Sequence, residues 1–124
     1  MPNALVVDDS RAIRAILTKT LRELGFDVAQ AANGSEALDW MSREGPSIRL
    51  ALVDWNMPVL SGIEFVRQVR NKPHLQSVRL MMVTTETEME QMARALEAGA
   101  DEYIMKPFTT DAIKDKLRLL GVTP

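Results

Sequence analysis

Two aspartates, Asp8 and Asp9, stand side by side at the end of a short apolar run, Ala4-Leu5-Val6-Val7. A second run, Leu50-Ala51-Leu52-Val53, ends in Asp54; a third, Leu80-Met81-Met82-Val83, ends in Thr84; a fourth, Tyr103-Ile104-Met105, ends in Lys106-Pro107. Carboxylates, a hydroxyl and an ammonium are the groups that hold a divalent cation and a phosphoryl group. Three carboxylates in one crevice repel one another, each close pair by on the order of 4 kcal/mol at ~4 Å and an effective dielectric of about 20. A bound cation offsets that repulsion. Oxygen donors without His or Cys favour Mg²⁺, or Mn²⁺, over zinc, and Mg²⁺ takes waters and phosphate oxygens in its remaining positions. An isolated Asp-Asp pair more often caps a helix or faces solvent. The company of Asp54 and Lys106 at matching run ends is what gives this pair its chemistry.

These groups meet only if the runs are neighbouring strands. Apolar runs of this length, bounded by polar residues, read as strands buried on both faces of a parallel sheet. Such sheets bind ligands beyond the carboxyl ends of their strands. The intervening segments carry helical spacing. Ser10 is a good N-cap, and Ile13, Ile16, Leu17, Leu21 and Leu24 form a stripe before Gly25 stops the run. Phe26 to Ala31 alternates as a further strand. Asn33-Gly34-Ser35 opens a short helix with Ala37, Leu38 and Met41 inward, ending near Gly45-Pro46. After Asp54 comes the loop Trp55-Asn56-Met57-Pro58-Val59-Leu60, and Ser61-Gly62 leads a helix with Ile63, Val66 and Val69 inward. The helix after Thr84 places Met89, Met92, Ala93 and Leu96 inward and stops at Gly99; Thr109 or Thr110 caps a last one with Ile113, Leu117 and Leu120. Met41, Met81, Met82 and Met105 fit core positions. The result is five βα units of roughly 25 residues, about the minimum for strand, helix and two short loops. Right-handed crossovers then make a doubly wound α/β sheet with helices on both faces.

The whole chain bounds the rest. Its 124 residues read as one domain, 1–124, with no linker or low-complexity tract and no output domain. With 15 basic against 17 acidic residues, net charge −2, it lacks the basic footprint of a nucleic-acid binder. No cysteine is present, which excludes disulfides, thiolate metal sites and thiol nucleophiles. No apolar stretch approaches membrane-spanning length, and the expected setting is cytoplasmic, monomeric and away from membranes.

The set Asp8-Asp9, Asp54, Thr84 and Lys106-Pro107, with Asp54-Trp55-Asn56-Met57-Pro58 and Gly62 around it, resembles the receiver domain of bacterial two-component response regulators. Within them it is most similar to the single-domain chemotaxis (CheY-like) type, over essentially the entire chain. The resemblance implies a flavodoxin-like five-stranded sheet in the order 2-1-3-4-5 with five helices. It implies that Asp54 is the phosphoacceptor nucleophile, taking a phosphoryl group from a phosphohistidine on a histidine kinase or histidine phosphotransfer protein. Asp9, Asp54 and the Asn56 backbone carbonyl would touch the metal, with Asp8 acting mainly through a water. Lys106 would neutralise one phosphoryl oxygen and Thr84 would hydrogen-bond another. Thr84 and Tyr103 would form the switch that couples the site to the face made by the fourth helix, fifth strand and fifth helix. Lys106-Pro107 would be cis. Asn56 and Glu86, two residues beyond Asp54 and Thr84, would tune hydrolysis of the phosphoryl bond. The chain would then be a phosphorylation-dependent switch, not an enzyme acting on a separate substrate.

Downstream partners consistent with this are the flagellar motor switch or a phosphorelay protein, and a phosphate sink is a further use. Two other classes fit less well. An aspartate-nucleophile phosphatase wants a second aspartate two positions after the nucleophile, where Asn56 stands. A flavin carrier wants a hydroxyl- and glycine-rich phosphate loop, where Asp8-Asp9-Ser10-Arg11 would repel the phosphate. His74, in a loop after Pro73, reads as solvated, and Trp40 as core or helix-edge packing. Trp55 beside Asp54 should report metal binding by fluorescence.

Overall fold

The computed structural model describes residues 2–57 and 59–124, apart from the side chains at 46, 86, 87 and 89. Pro58 of the loop after Asp54, and the Glu86 and Met89 side chains, therefore lie outside the described residues. Five strands form one parallel sheet: β1 (Ala4–Val7), β2 (Val28–Ala31), β3 (Leu50–Asp54), β4 (Arg79–Thr84) and β5 (Glu102–Met105), in the order β2-β1-β3-β4-β5. Between and after them run α1 (Arg11–Glu23), α2 (Gly34–Glu44), α3 (Gly62–Arg70), α4 (Met92–Ala98) and α5 (Thr110–Leu120). This is the flavodoxin-like doubly wound arrangement that the resemblance implies.

Strand residues alternate between two cores. Leu5, Val7, Ala51, Val53, Leu80 and Met82 point to the face covered by α2, α3 and α4, where Met41, Phe65, Val66 and Ala95 meet them. Ala4, Val6, Leu50, Leu52, Met81 and Val83 point to the other face, against Leu17 and Leu21 of α1 and Ile113 and Leu117 of α5. Both faces being covered explains why β1 and β3 are buried at every position and apolar up to Asp54, the last residue of β3. The helix entries follow the sequence. Ser10, Asn33, Ser61 and Thr109 each accept a bond from the backbone N–H three residues on.

Several details differ from the sequence reading. Ile16 is about half exposed, because the buried stripe of α1 runs through Leu17, Thr18, Thr20 and Leu21 and leaves Ile16 on its flank. Met105 is exposed as well, since β5 is an edge strand in which Ile104 alone is fully buried. The segment Glu86–Gln91 is 3₁₀, and α4 begins only at Met92. A 3₁₀ turn advances three residues per turn against 3.6 in an α-helix, so it resets the phase of the stripe. Met92 and Ala95 are inward as a result, whereas Ala93 and Leu96 are exposed.

Candidate functional site

Register assembles the site. Val7 pairs with Val53, so Asp8 comes one step beyond it beside Asp54. Asp54 pairs with Val83 and Thr84 with Met105, so Thr84 and Lys106 follow at the same edge. The ladder continues just past the strand ends: Asp8 N–H donates to Ala31 O, Trp55 N–H to Val83 O and Lys106 N–H to Thr84 O. Chain direction at each candidate residue is thereby fixed by backbone bonds. Behind Asp54, α3 presses so closely that a Cβ on Gly62 would stand 2.7 Å from the Asp54 carbonyl oxygen and 2.8 Å from Met82 Cε. Only glycine allows that approach.

Asp8, Asp9 and Asp54 each offer a carboxylate oxygen, and these lie within 4.8 Å of one another. Asp8 and Asp54 are buried; Asp9 is exposed. One Asp8 oxygen accepts from Ser10 N–H at 2.8 Å, and its carbonyl accepts from Arg14 Nη1 at 2.7 Å. Lys106 Nζ stands 3.5 Å from the other Asp8 oxygen and 3.4 Å from Asp54 Oδ1. One ammonium therefore serves two carboxylates, which leaves the cluster net negative. Burial, then repulsion from Asp8, push the Asp54 carboxyl from the ordinary 3.8 up to about 6, although Lys106 and the Asn56 backbone N–H pull the other way. The cluster fits a hard divalent cation: its donors are all oxygen, it is short of positive charge, and it is open on the Asp9 side.

The crevice above the carboxylates, about 410 Å³, is lined by Asp9, Asp54, Asn56, Thr85, Glu88 and Lys106. Asn56 is exposed at its edge. Thr84 is fully buried, with its hydroxyl 3.4 Å from the Thr85 carbonyl oxygen and 3.5 Å from Glu88 Oε1. Lys106-Pro107 is cis. Tyr103 is partly buried against the core under α4, with Lys116 Nζ 4.7 Å from its ring centre. Trp55 is partly buried next to Asp54, Trp40 donates its indole N–H to Gln30 O, and His74 is exposed. The Glu86 side chain, expected near the site, lies outside the described residues. Thr85 and Glu88 are site residues that the sequence reading missed. A signal for them exists, because Thr85-Glu86-Thr87-Glu88 has the spacing of a capping box opening directly at a functional strand end.

Comparison with known proteins agrees with this geometry. Residues 4–118 match the response regulator receiver domain family. The chain is 41% identical over 114 residues to a chemotaxis protein CheY homolog of Campylobacter jejuni, spanning 91% of this chain and 87% of that one. It is 38% identical over 117 residues to chemotaxis protein CheY1 of Helicobacter pylori, spanning 94% of each. The structure of the chemotaxis response regulator CheY4 of Vibrio cholerae superposes with a TM-score of 0.86 at 34% identity, covering 97% of this chain and 98% of that one. No helix among the described residues is long and apolar enough to cross a membrane. Motif, sheet order, acidic cluster and likeness agree: the chain belongs to the response regulator receiver domain family and is of the CheY-like kind.

Proposed function

We propose that this receiver domain is a phosphorylation-controlled signalling switch in which Asp54 accepts a phosphoryl group from the phosphohistidine of a histidine kinase or histidine phosphotransfer protein. The observation that carries the reading is the shared lysine: a buried Asp54 carboxylate, crowded by Asp8, with Lys106 placed between the two. The Asp8, Asp9 and Asp54 carboxylates, with the Asn56 backbone carbonyl, would hold Mg²⁺. When bound, that ion neutralises charge between an anionic phosphoryl group and an anionic nucleophile. The rest is positioning by the protein. Asp54 presents one oxygen to phosphorus, Lys106 meets a phosphoryl oxygen, and the Thr84 hydroxyl, held only by long contacts, turns to meet another. Asn56 and Glu86 set access of the water that later discharges the acyl phosphate. Asp54 is modified and restored in each cycle, so the domain catalyses only its own turnover.

Movement of Thr84 opens space under α4, into which Tyr103 turns, changing the face of α4, β5 and α5. Leu96 and Met105 are exposed apolar side chains on that face. A flagellar motor switch protein is the downstream partner that the chemotaxis relatives favour. A phosphorelay protein is the other reading, favoured by the acidic sequence before α4, where Glu86, Glu88 and Glu90 give an acidic docking peptide nothing to gain. The reading places the domain in the cytoplasm as a monomer. The test is labelling by acetyl phosphate or a phosphohistidine donor in Mg²⁺. Asp54→Ala should abolish it, and label persisting on another aspartate would overturn the assignment. Pull-down by a motor-switch peptide or a phosphotransfer domain, with and without beryllofluoride, separates the two outputs.

A further inference from the structure

Glu88 brings a further acid into the crevice, outside the metal cluster. Its Oε1 accepts from Thr85 N–H at 3.1 Å and from the Thr85 hydroxyl at 3.0 Å, and lies 3.5 Å from the Thr84 hydroxyl. The back-bond to Thr85 N–H is half of a capping box, a motif that glutamate and glutamine serve equally. The cap therefore needs an acceptor, not a charge. Yet here the acceptor carries a full negative charge over the space that an anionic phosphoryl group must enter. Among the described residues, Lys106 is the one cation lining that crevice, and it is already engaged by Asp8 and Asp54.

We propose that Glu88 is an electrostatic latch on the phosphoryl site. Clamped to Thr85 and adjoining the Thr84 hydroxyl, its carboxylate opposes entry of the phosphoryl group and holds the 3₁₀ segment Glu86–Gln91 in the unphosphorylated arrangement. An arriving phosphoryl group claims the Thr84 hydroxyl and repels the Glu88 carboxylate, loosening the segment that leads into α4. The inference rests on Asp54 being the phosphoacceptor and names how that site is regulated. In transfer from acetyl phosphate, an Asp54 oxygen forms the new O–P bond as the donor's O–P bond breaks and acetate leaves with its electron pair. Glu88 joins neither bond and acts through charge, so it is a gating residue.

The test compares the full chain with Glu88→Gln, which keeps the acceptor for Thr85, and with Glu88→Lys, which reverses the charge. Two quantities are measured in Mg²⁺: the affinity for beryllofluoride, a phosphoryl-like anion, followed by tryptophan fluorescence, and the rate of labelling by acetyl phosphate. Glu88→Gln should bind beryllofluoride roughly three- to tenfold more tightly and label faster by a similar factor, the scale of one like-charge contact in a wet crevice. Glu88→Lys should exceed it, and both gains should shrink as salt is raised. If Glu88 is only a cap, glutamine behaves as wild type at every ionic strength, and the latch is overturned. A wild type labelled at Asp54 with both variants unchanged or slower removes the latch alone. A wild type that takes no label removes the phosphoacceptor reading and the latch with it.

Discussion

Val59 holds its backbone at φ 70°, in the left-handed region, between Asp54 and α3. A β-branched residue pays roughly 1–2 kcal/mol there, because its Cβ crowds the following carbonyl. Its side chain is 82% exposed, so no packing offsets the strain. Val59→Asn should therefore stabilise the protein by about 1 kcal/mol, since asparagine visits this region readily. Glycine would relieve the same strain but lose part of the gain to unfolded-chain entropy. Thermal unfolding checks it: a melting temperature unchanged or lowered by Val59→Asn would show that the loop does not store this strain. Nothing in the one-dimensional pattern announces a left-handed valine. The residues of the candidate site are far easier to read, because an acid, a hydroxyl or a lysine closing an apolar run is unusual, and register then brings such run ends together. Glu88 escaped because its partner is local: as a cap it looks like any helix-entry glutamate, and its second role depends on which strand end it caps.

Elements were legible where one pattern governs a whole segment. Continuous apolar runs fill β1, β3 from Leu50 to Val53 and β4 from Leu80 to Val83, and the charged or hydroxyl residue stands at the end of each. β2 begins two residues later than its alternation suggests, because Phe26 N–H is still bonded to Leu21 O in the turn that ends α1. α4 was misphased because hydrophobic spacing cannot tell an α-helix from a 3₁₀ entry followed by one. The opposite end of α4 has a firm anchor that spacing also hides. Arg70, last residue of α3, donates to Gly99 O at 2.9 Å, Leu75 O at 3.1 Å, Val78 O at 2.7 Å and Asp101 Oδ2 at 2.8 Å. Gly99, at φ 122°, lets the arginine stem lie against the backbone where α4 stops. One side chain thus joins α3, the turn before β4, and the link from α4 to β5. Arg70→Ala should cost on the order of 3 kcal/mol, since four carbonyls, those of Gly99, Leu75, Gln76 and Val78, lose a charged donor while Asp101 keeps Leu80 N–H and Arg79. Urea unfolding should show a lower midpoint with an unchanged slope. A loss below about 0.5 kcal/mol, the level of an ordinary surface change, would mean that water replaces the arginine freely.

At the scale of the molecule, the acidic edge of the sheet sets function against stability. The Asp54 carboxyl titrates near 6 in the folded, metal-free protein and near 3.8 when unfolded. Below about pH 4 both states hold the proton and the group contributes nothing. As the pH rises from 4 to 6 the unfolded chain gives up its proton first, so stability falls across that window and stays reduced above it. The deficit is on the order of 3 kcal/mol at neutral pH. Asp54→Asn removes it. Without divalent cations the variant should melt higher than wild type at pH 7.5, by on the order of 10 °C for a domain of this size, with the gap closing toward pH 4. Added Mg²⁺ should raise the wild type by mass action and the variant much less, narrowing or inverting the gap, because the variant has lost one of the three grouped carboxylates that would hold the ion in the proposed function. Melting curves at pH 4, 5, 6 and 7.5, each in chelator and in Mg²⁺, test both halves. A gap of constant size at every pH would mean that Asp54 is not strained by its neighbours, and the pressure toward metal and phosphoryl binding would have to come from somewhere other than crowded charge.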